Sequence, residues 1–146
     1  MIRTLFLIVF LLTSSLSTAQ KEKAFQNEPI SLAEVEQPPL FKRCKTKWEP
    51  QRQRDCTSSY INEFVNRRFD MKLASKLIGK GVGKLEANFI INQEGKIESV
   101  TVTGGVNELN QHLHQIVISL KPFRPGMQNG SPVDVSVHLP VSFRVF

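Results

Sequence analysis

Few residues in this chain have the types and spacing that chemistry needs. Cys44 and Cys56 enclose eleven residues, so they do not form a CxxC redox motif, and no histidine lies near them. His112 and His114 stand two apart in a segment of helical periodicity. On a helix such side chains diverge and cannot share a metal ion. His138 is remote from both, and neither HExxH nor GxSxG occurs. The sequence therefore predicts no catalytic residue, no metal site and no cofactor, and the histidines read as exposed polar side chains. Gly79-Lys80-Gly81-Val82-Gly83-Lys84 is one residue short of a phosphate loop, and Leu85 follows where Ser or Thr is required. The flanking order is helix then strand, the reverse of what places phosphate at a helix N-terminus. The run reads as a flexible turn feeding a strand.

Export explains the cysteines and the charge. Arg3 precedes the apolar stretch Leu5 to Leu12, and Ser17-Thr18-Ala19 supplies small residues for cleavage. Residues 1–19 are read as a secretory signal peptide. An uncleaved inner-membrane anchor is the alternative, but a spanning helix needs about 20 apolar residues. Outside the cytosol, Cys44 and Cys56 are most simply a disulfide. Closing such a loop stabilises a fold by about 3 kcal/mol. The chain of 146 residues carries a net charge of +6. Lys42, Arg43, Lys45, Lys47, Arg52 and Arg54 cluster beside Trp48. An exported chain does not meet nucleic acid, so this cluster reads as a solvated loop or a surface facing an acidic partner or anionic lipid. At 40% hydrophobic and 22% charged residues the composition is that of one globular domain, neither disordered nor collagen-like.

The positioning elements follow from periodicity. Residues 20–37 are polar and read as a flexible lead; residues 38–146 form the domain. Pro38-Pro39 imposes extended backbone, and the segment to Cys44 is expected to dock. After Cys56, Thr57-Ser58-Ser59 offers N-caps for a helix with Tyr60, Ile61, Phe64 and Val65 on one face, ending near Asp70. Met71 to Ile78 is expected to make a short second helix. From Lys84 to Ile91 the period is two, a half-buried strand. Asn92-Gln93-Glu94-Gly95 is a hairpin loop, and the return strand slips phase near Glu98-Ser99, where a bulge is expected. Leu109, Leu113, Ile116, Val117 and Leu120 make the strongest helical stripe. Val133 to Val145 alternates as a long last strand containing Pro140, which places it at an edge or at a bulge. The expected class is α+β: a three-stranded antiparallel sheet with helices on one face, in αββαβ order. An edge strand offers unpaired N–H and C=O groups that another chain can complete.

These residues resemble the TonB C-terminal domain, in the variant that carries a cysteine pair before its first helix. The resemblance runs from Pro39-Leu40-Phe41 with Cys44, through Cys56 and Asn66-Arg67-Arg68-Phe69, to Gly83-Lys84-Leu85-Glu86-Ala87-Asn88-Phe89-Ile90-Ile91-Asn92 with Gly95-Lys96-Ile97. It continues in Phe123-Arg124-Pro125-Gly126, Gly130-Ser131-Pro132-Val133 and Leu139-Pro140-Val141-Ser142-Phe143. It implies a periplasmic, non-enzymatic module that binds the TonB box, an extended segment of outer-membrane transporters, by strand addition to the last strand. Asp134, Ser136, His138, Val141, Ser142, Phe143 and Arg144 are the expected contact residues. A homodimer is a further expected partnership.

Coupling to the proton-driven ExbB/ExbD motor is expected only if the N-terminal segment stays uncleaved. Residues 20–37 contain a single proline and reach only about 60 Å fully extended. The rival functions are an unanchored periplasmic adaptor that is never energised and a small secreted enzyme.

Overall fold

The computed structural model describes residues 28–122 and 124–146. The expected signal peptide, the first residues of the lead and Phe123 of the Phe123-Arg124-Pro125-Gly126 motif lie outside them. In chain order the elements are β1 (Ile30–Ser31), α1 (Pro50–Arg68), α2 (Met71–Ile78), β2 (Gly81–Ile91), β3 (Ile97–Thr103), α3 (Asn107–Ile118), β4 (Gly126–Gln128), β5 (Ser131–Val133) and β6 (Val135–Val145).

The three long strands β6, β2 and β3 form the antiparallel sheet that the alternation predicts. The sheet order is β1-β6-β2-β3, and β1 is an addition. It pairs parallel with the start of β6, Ile30 opposite Val135 and Ser31 opposite Ser136. The lead is therefore docked from Ile30 onward, where the sequence predicts flexibility. Val35 is fully buried, which supplies the apolar anchor that a polar-looking segment hides. A second small sheet, β4 with β5, is joined by the turn at Asn129-Gly130, both at positive φ. Gln37 and Leu40 bridge to Met127 and Arg124, so the Pro38-Pro39 segment is extended and docked as expected.

Helix α1 begins at Pro50, earlier than the sequence predicts. Proline suits the first helical position, where no N–H is needed. Its buried face runs Gln53, Thr57, Ile61, Phe64, Val65, so the first two turns bury polar residues in place of apolar ones. Both are satisfied. Gln53 Nε2 donates to Thr46 O and Trp48 O at 2.8 Å each, and Thr57 Oγ1 donates to Pro39 O at 2.7 Å. Thr57 is thus a core residue and not a cap. Cys44 and Cys56 are bonded, with Cα atoms 5.9 Å apart, tying the loop before α1 to the helix itself.

Asp70 ends α1 and caps α2, its carboxylate accepting from the N–H groups of Lys72 and Leu73. The glycine run is turn only at its start, where Gly79 caps α2 at φ of 69°, and strand thereafter. Gly81 and Gly83 lie within β2, opposite Val145 and Phe143. A Cβ on Gly83 would come within 2.1 Å of the Phe143 ring. The glycine makes room for that ring, which crosses the neighbouring strand and packs on Phe69 at 4.9 Å. In the β2–β3 hairpin Gly95 takes φ of 75°, and Asn92 Oδ1 accepts from Glu94 and Lys96. The predicted bulge is present, with Ser99 at φ of 53°.

The core is one cluster built from Phe41, Ile61 and Val65, the inward residues Leu85, Phe89 and Ile91 of β2, Leu109, Leu113 and Val117 of α3, and Val137, Leu139 and Val141 of β6. Burying each such side chain contributes about 1.5–3 kcal/mol before its ordering entropy is subtracted. The opposite face of β6 and β2, including His138, Pro140, Ser142, Lys84, Glu86 and Asn88, is exposed.

Candidate functional site

The site is defined by which way the peptide groups of β6 point. Ile30 N–H donates to Asp134 O and Leu32 N–H to Ser136 O, both at 2.9 Å. Peptide groups alternate sides along a strand. The groups of His138, Pro140, Ser142 and Arg144 therefore face the same side as those of Asp134 and Ser136, away from β2. Among the described residues no strand pairs with that side beyond Ser136. The odd-numbered residues from Val135 to Val145 exchange their bonds with β2 in unbroken register. Pro140 opposes Glu86 without a register shift, so it marks an edge and not a bulge. Its missing N–H would have faced outward and costs the sheet nothing.

The seven expected residues divide on this basis. His138, Ser142 and Arg144 present N–H and C=O outward, and their side chains are exposed. Ser136 faces the same way, but β1 already uses its carbonyl. Asp134 is a fastener: its carboxylate accepts the Gln93 N–H at 3.0 Å, holding the β2–β3 loop against the start of β6. Val141 and Phe143 turn their main chain to β2; Val141 is buried and Phe143 covers Gly83. They support the edge from behind.

Two cavities of about 300 Å³ each share Ser31, Ser136 and His138 in their linings, where β1 meets β6. The first is closed by Leu32 of the lead and by Arg54, Asp55 and Ser58 of α1. The second is floored by Ile90 with Asn88 and Ser99 around it. His138 Nδ1 donates to Asn88 Oδ1 at 2.9 Å, which fixes the ring over the second cavity.

The lead and the N-terminal half of α1 shape this edge, and the sequence does not flag them. Arg54 donates to Ala33 O and Val35 O at 3.2 and 3.1 Å, pinning the chain where it leaves β6. In the sequence Ile30, Leu32 and Val35 are scattered among polar neighbours, too sparse for a sustained periodicity.

The remaining candidates stay apart from the edge. His112 Nε2 accepts the Asp70 N–H at 3.0 Å, which gives this half-buried histidine a structural partner and not an exposed position. The N–H of Leu73, and then that of Lys72, hold the Asp70 carboxyl below the usual carboxylate range. The bidentate Arg43 guanidinium likewise lowers Glu63. Among the described residues no group of three His, Cys, Asp or Glu side chains could hold a metal ion.

The model of the Gram-negative bacterial TonB protein C-terminal family matches residues 80–145. These residues belong to the TonB C-terminal family. The match spans β2 to β6, which is the whole of the antiparallel sheet and α3. The TonB C-terminal family is one of protein-interaction domains associated with TonB-dependent transport. Comparison with curated proteins gives no match. Among the described residues no helix is long and apolar enough to cross a membrane.

Proposed function

We propose that the outer side of β6, from His138 to Arg144, takes up the TonB box of an outer-membrane transporter as an added strand. The observation that carries this reading is the row of outward N–H and C=O groups beyond the point where β1 leaves the sheet. The sheet has a second outer edge, on β3, but the Ser99 bulge interrupts it. A bulge of this kind blunts an edge against pairing, whereas β6 is longer and keeps an unbroken register with β2. The donors are the N–H groups of His138, Ser142 and Arg144; the acceptors are their carbonyls and that of Pro140. At about 1 kcal/mol net per hydrogen bond, set against an association cost of about 4 kcal/mol or more, the contact is a reversible one. Side-chain selection falls to the exposed side chains of His138, Ser142 and Arg144 along the open window.

The reading carries no catalytic step. Coupling to the ExbB/ExbD motor needs the N-terminal segment in the inner membrane, whereas a chain processed at Ala19 acts as a periplasmic adaptor; N-terminal sequencing of the exported protein separates the two. Binding itself is tested by fluorescence anisotropy with labelled TonB-box peptides. The exported protein is expected to bind, and Ser142→Pro, which removes one outward donor, to bind at least fivefold more weakly. Equal binding by the variant would reject this edge as the site.

A further inference from the structure

The cations around the Cys44–Cys56 disulfide are sorted by their contacts. Arg43 is engaged by Glu63 at 2.6 and 3.1 Å. Arg54 is engaged by the carbonyls of Ala33, Val35 and Pro50. Lys42, Lys45, Lys47 and Arg52 make no ion pair among the described residues, and all four are exposed. Glu49 is the sole carboxylate between Lys42 and Arg52 in the chain.

The segment that carries them is held in shape. The disulfide fixes one end, and the buried Gln53 amide binds the carbonyls of Thr46 and Trp48. Two turns close within it, Cys44 N–H to Phe41 O at 2.8 Å and Trp48 N–H to Lys45 O at 3.2 Å. Trp48 sits among the charges, with the Arg52 guanidinium 4.2 Å and the Lys45 ammonium 5.8 Å from its ring centroid. None of the four cations lines the cavities beside the β6 edge.

We propose that this loop is a docking surface for an anionic lipid bilayer, with Lys42, Lys45, Lys47 and Arg52 against headgroup phosphates and Trp48 at headgroup depth. An indole flanked by cations matches the two layers of a bilayer surface, since tryptophan prefers the headgroup level and basic clusters are drawn to anionic lipid. Acidic peptide motifs are recognised by clustered arginines, whereas three of the four unpaired cations are lysines and the one free guanidinium lies over the Trp48 ring.

Trp48 makes the test specific, because it is the chain's one tryptophan. Its emission reports on this loop whatever the N-terminal segment does. The exported protein is titrated with vesicles of equal parts phosphatidylglycerol and phosphatidylcholine, and with phosphatidylcholine alone. A blue shift, with quenching by brominated lipid, is expected for the anionic vesicles and not for the neutral ones. Each cation near an anionic surface is worth roughly a fivefold change in binding. Lys45→Gln, Lys47→Gln and Arg52→Gln together should therefore weaken the response on the order of 100-fold. A control with Lys72, Lys76 and Lys121 changed to Gln, the same loss of charge elsewhere, should respond nearly as the unaltered protein does. Equal responses to the two vesicle types, or equal weakening in both variants, would overturn the proposal. A tighter response to a deca-glutamate peptide than to the anionic vesicles would overturn it in favour of an acidic protein partner.

Discussion

Proline scanning of two neighbouring positions on β6 tests which way its peptide groups point. Ser142→Pro removes an N–H that faces outward, and Pro140 shows that the strand accepts proline on that side. Val141→Pro removes an N–H that faces β2. The bond to Leu85, its register partner, is lost, and a buried carbonyl on β2 is left without a donor. That desolvation costs about 1–3 kcal/mol. Val141 is only 7% exposed, and misplacing its side chain costs about 1 kcal/mol more. The expected loss is thus roughly 2–4 kcal/mol for Val141→Pro and under about 1 kcal/mol for Ser142→Pro. Urea unfolding of the disulfide-bonded protein, followed by far-ultraviolet circular dichroism, measures both. Similar losses at the two positions would refute the assignment of His138, Ser142 and Arg144 to the open side.

Three further outcomes follow from the rest of the fold. Gln53→Ala strands the carbonyls of Thr46 and Trp48, so thermal unfolding should show a loss of about 1–3 kcal/mol. Joint replacement of Cys44 and Cys56 by serine should cost about 3 kcal/mol by denaturant titration, and a reducing agent should leave that variant unaffected. The Asp70 carboxyl titrates lower in the fold than in the unfolded chain, so its stabilising contribution is present above the unfolded value. It is lost as pH falls through the folded value. The melting-temperature gap between the unaltered protein and Asp70→Ala should be widest near neutral pH and close in acid; a gap independent of pH would contradict the capping role.

What was legible in the sequence depended on how the burial was achieved. Strands β2 and β6 and helix α3 bury aliphatic residues at regular spacing, so alternation and the Leu109–Leu120 stripe located them directly. The Ser99 bulge was readable because it shifts the phase of valines in β3. The start of α1 was not, because Gln53 and Thr57 fill core positions and are satisfied by main-chain carbonyls of the preceding loop. Strand β1 was equally hidden. Two residues show no period, and what fixes them is Arg54 and Val35, whose partners are distant in sequence. At the edge, Pro140 announced the exposed side of the last strand. It could not announce that β1 occupies the first part of that side, which confines the open window to His138 and beyond. Nor does alternation alone separate Val141 and Phe143, which back the edge, from Ser142 and Arg144, which form it. That division needed the direction of the two hydrogen bonds from Ile30 and Leu32.

On the proposed function, an extended peptide completes β6 along its outer side. Backbone amide hydrogen exchange, recorded by nuclear magnetic resonance on the exported protein with and without a TonB-box peptide, tests it most directly. New protection is expected at the amides of His138, Ser142 and Arg144, with those of Val137, Leu139 and Val141, already bonded to β2, unchanged. Protection confined to the outer amides of β3, or no change along β6 at saturating peptide, would contradict it.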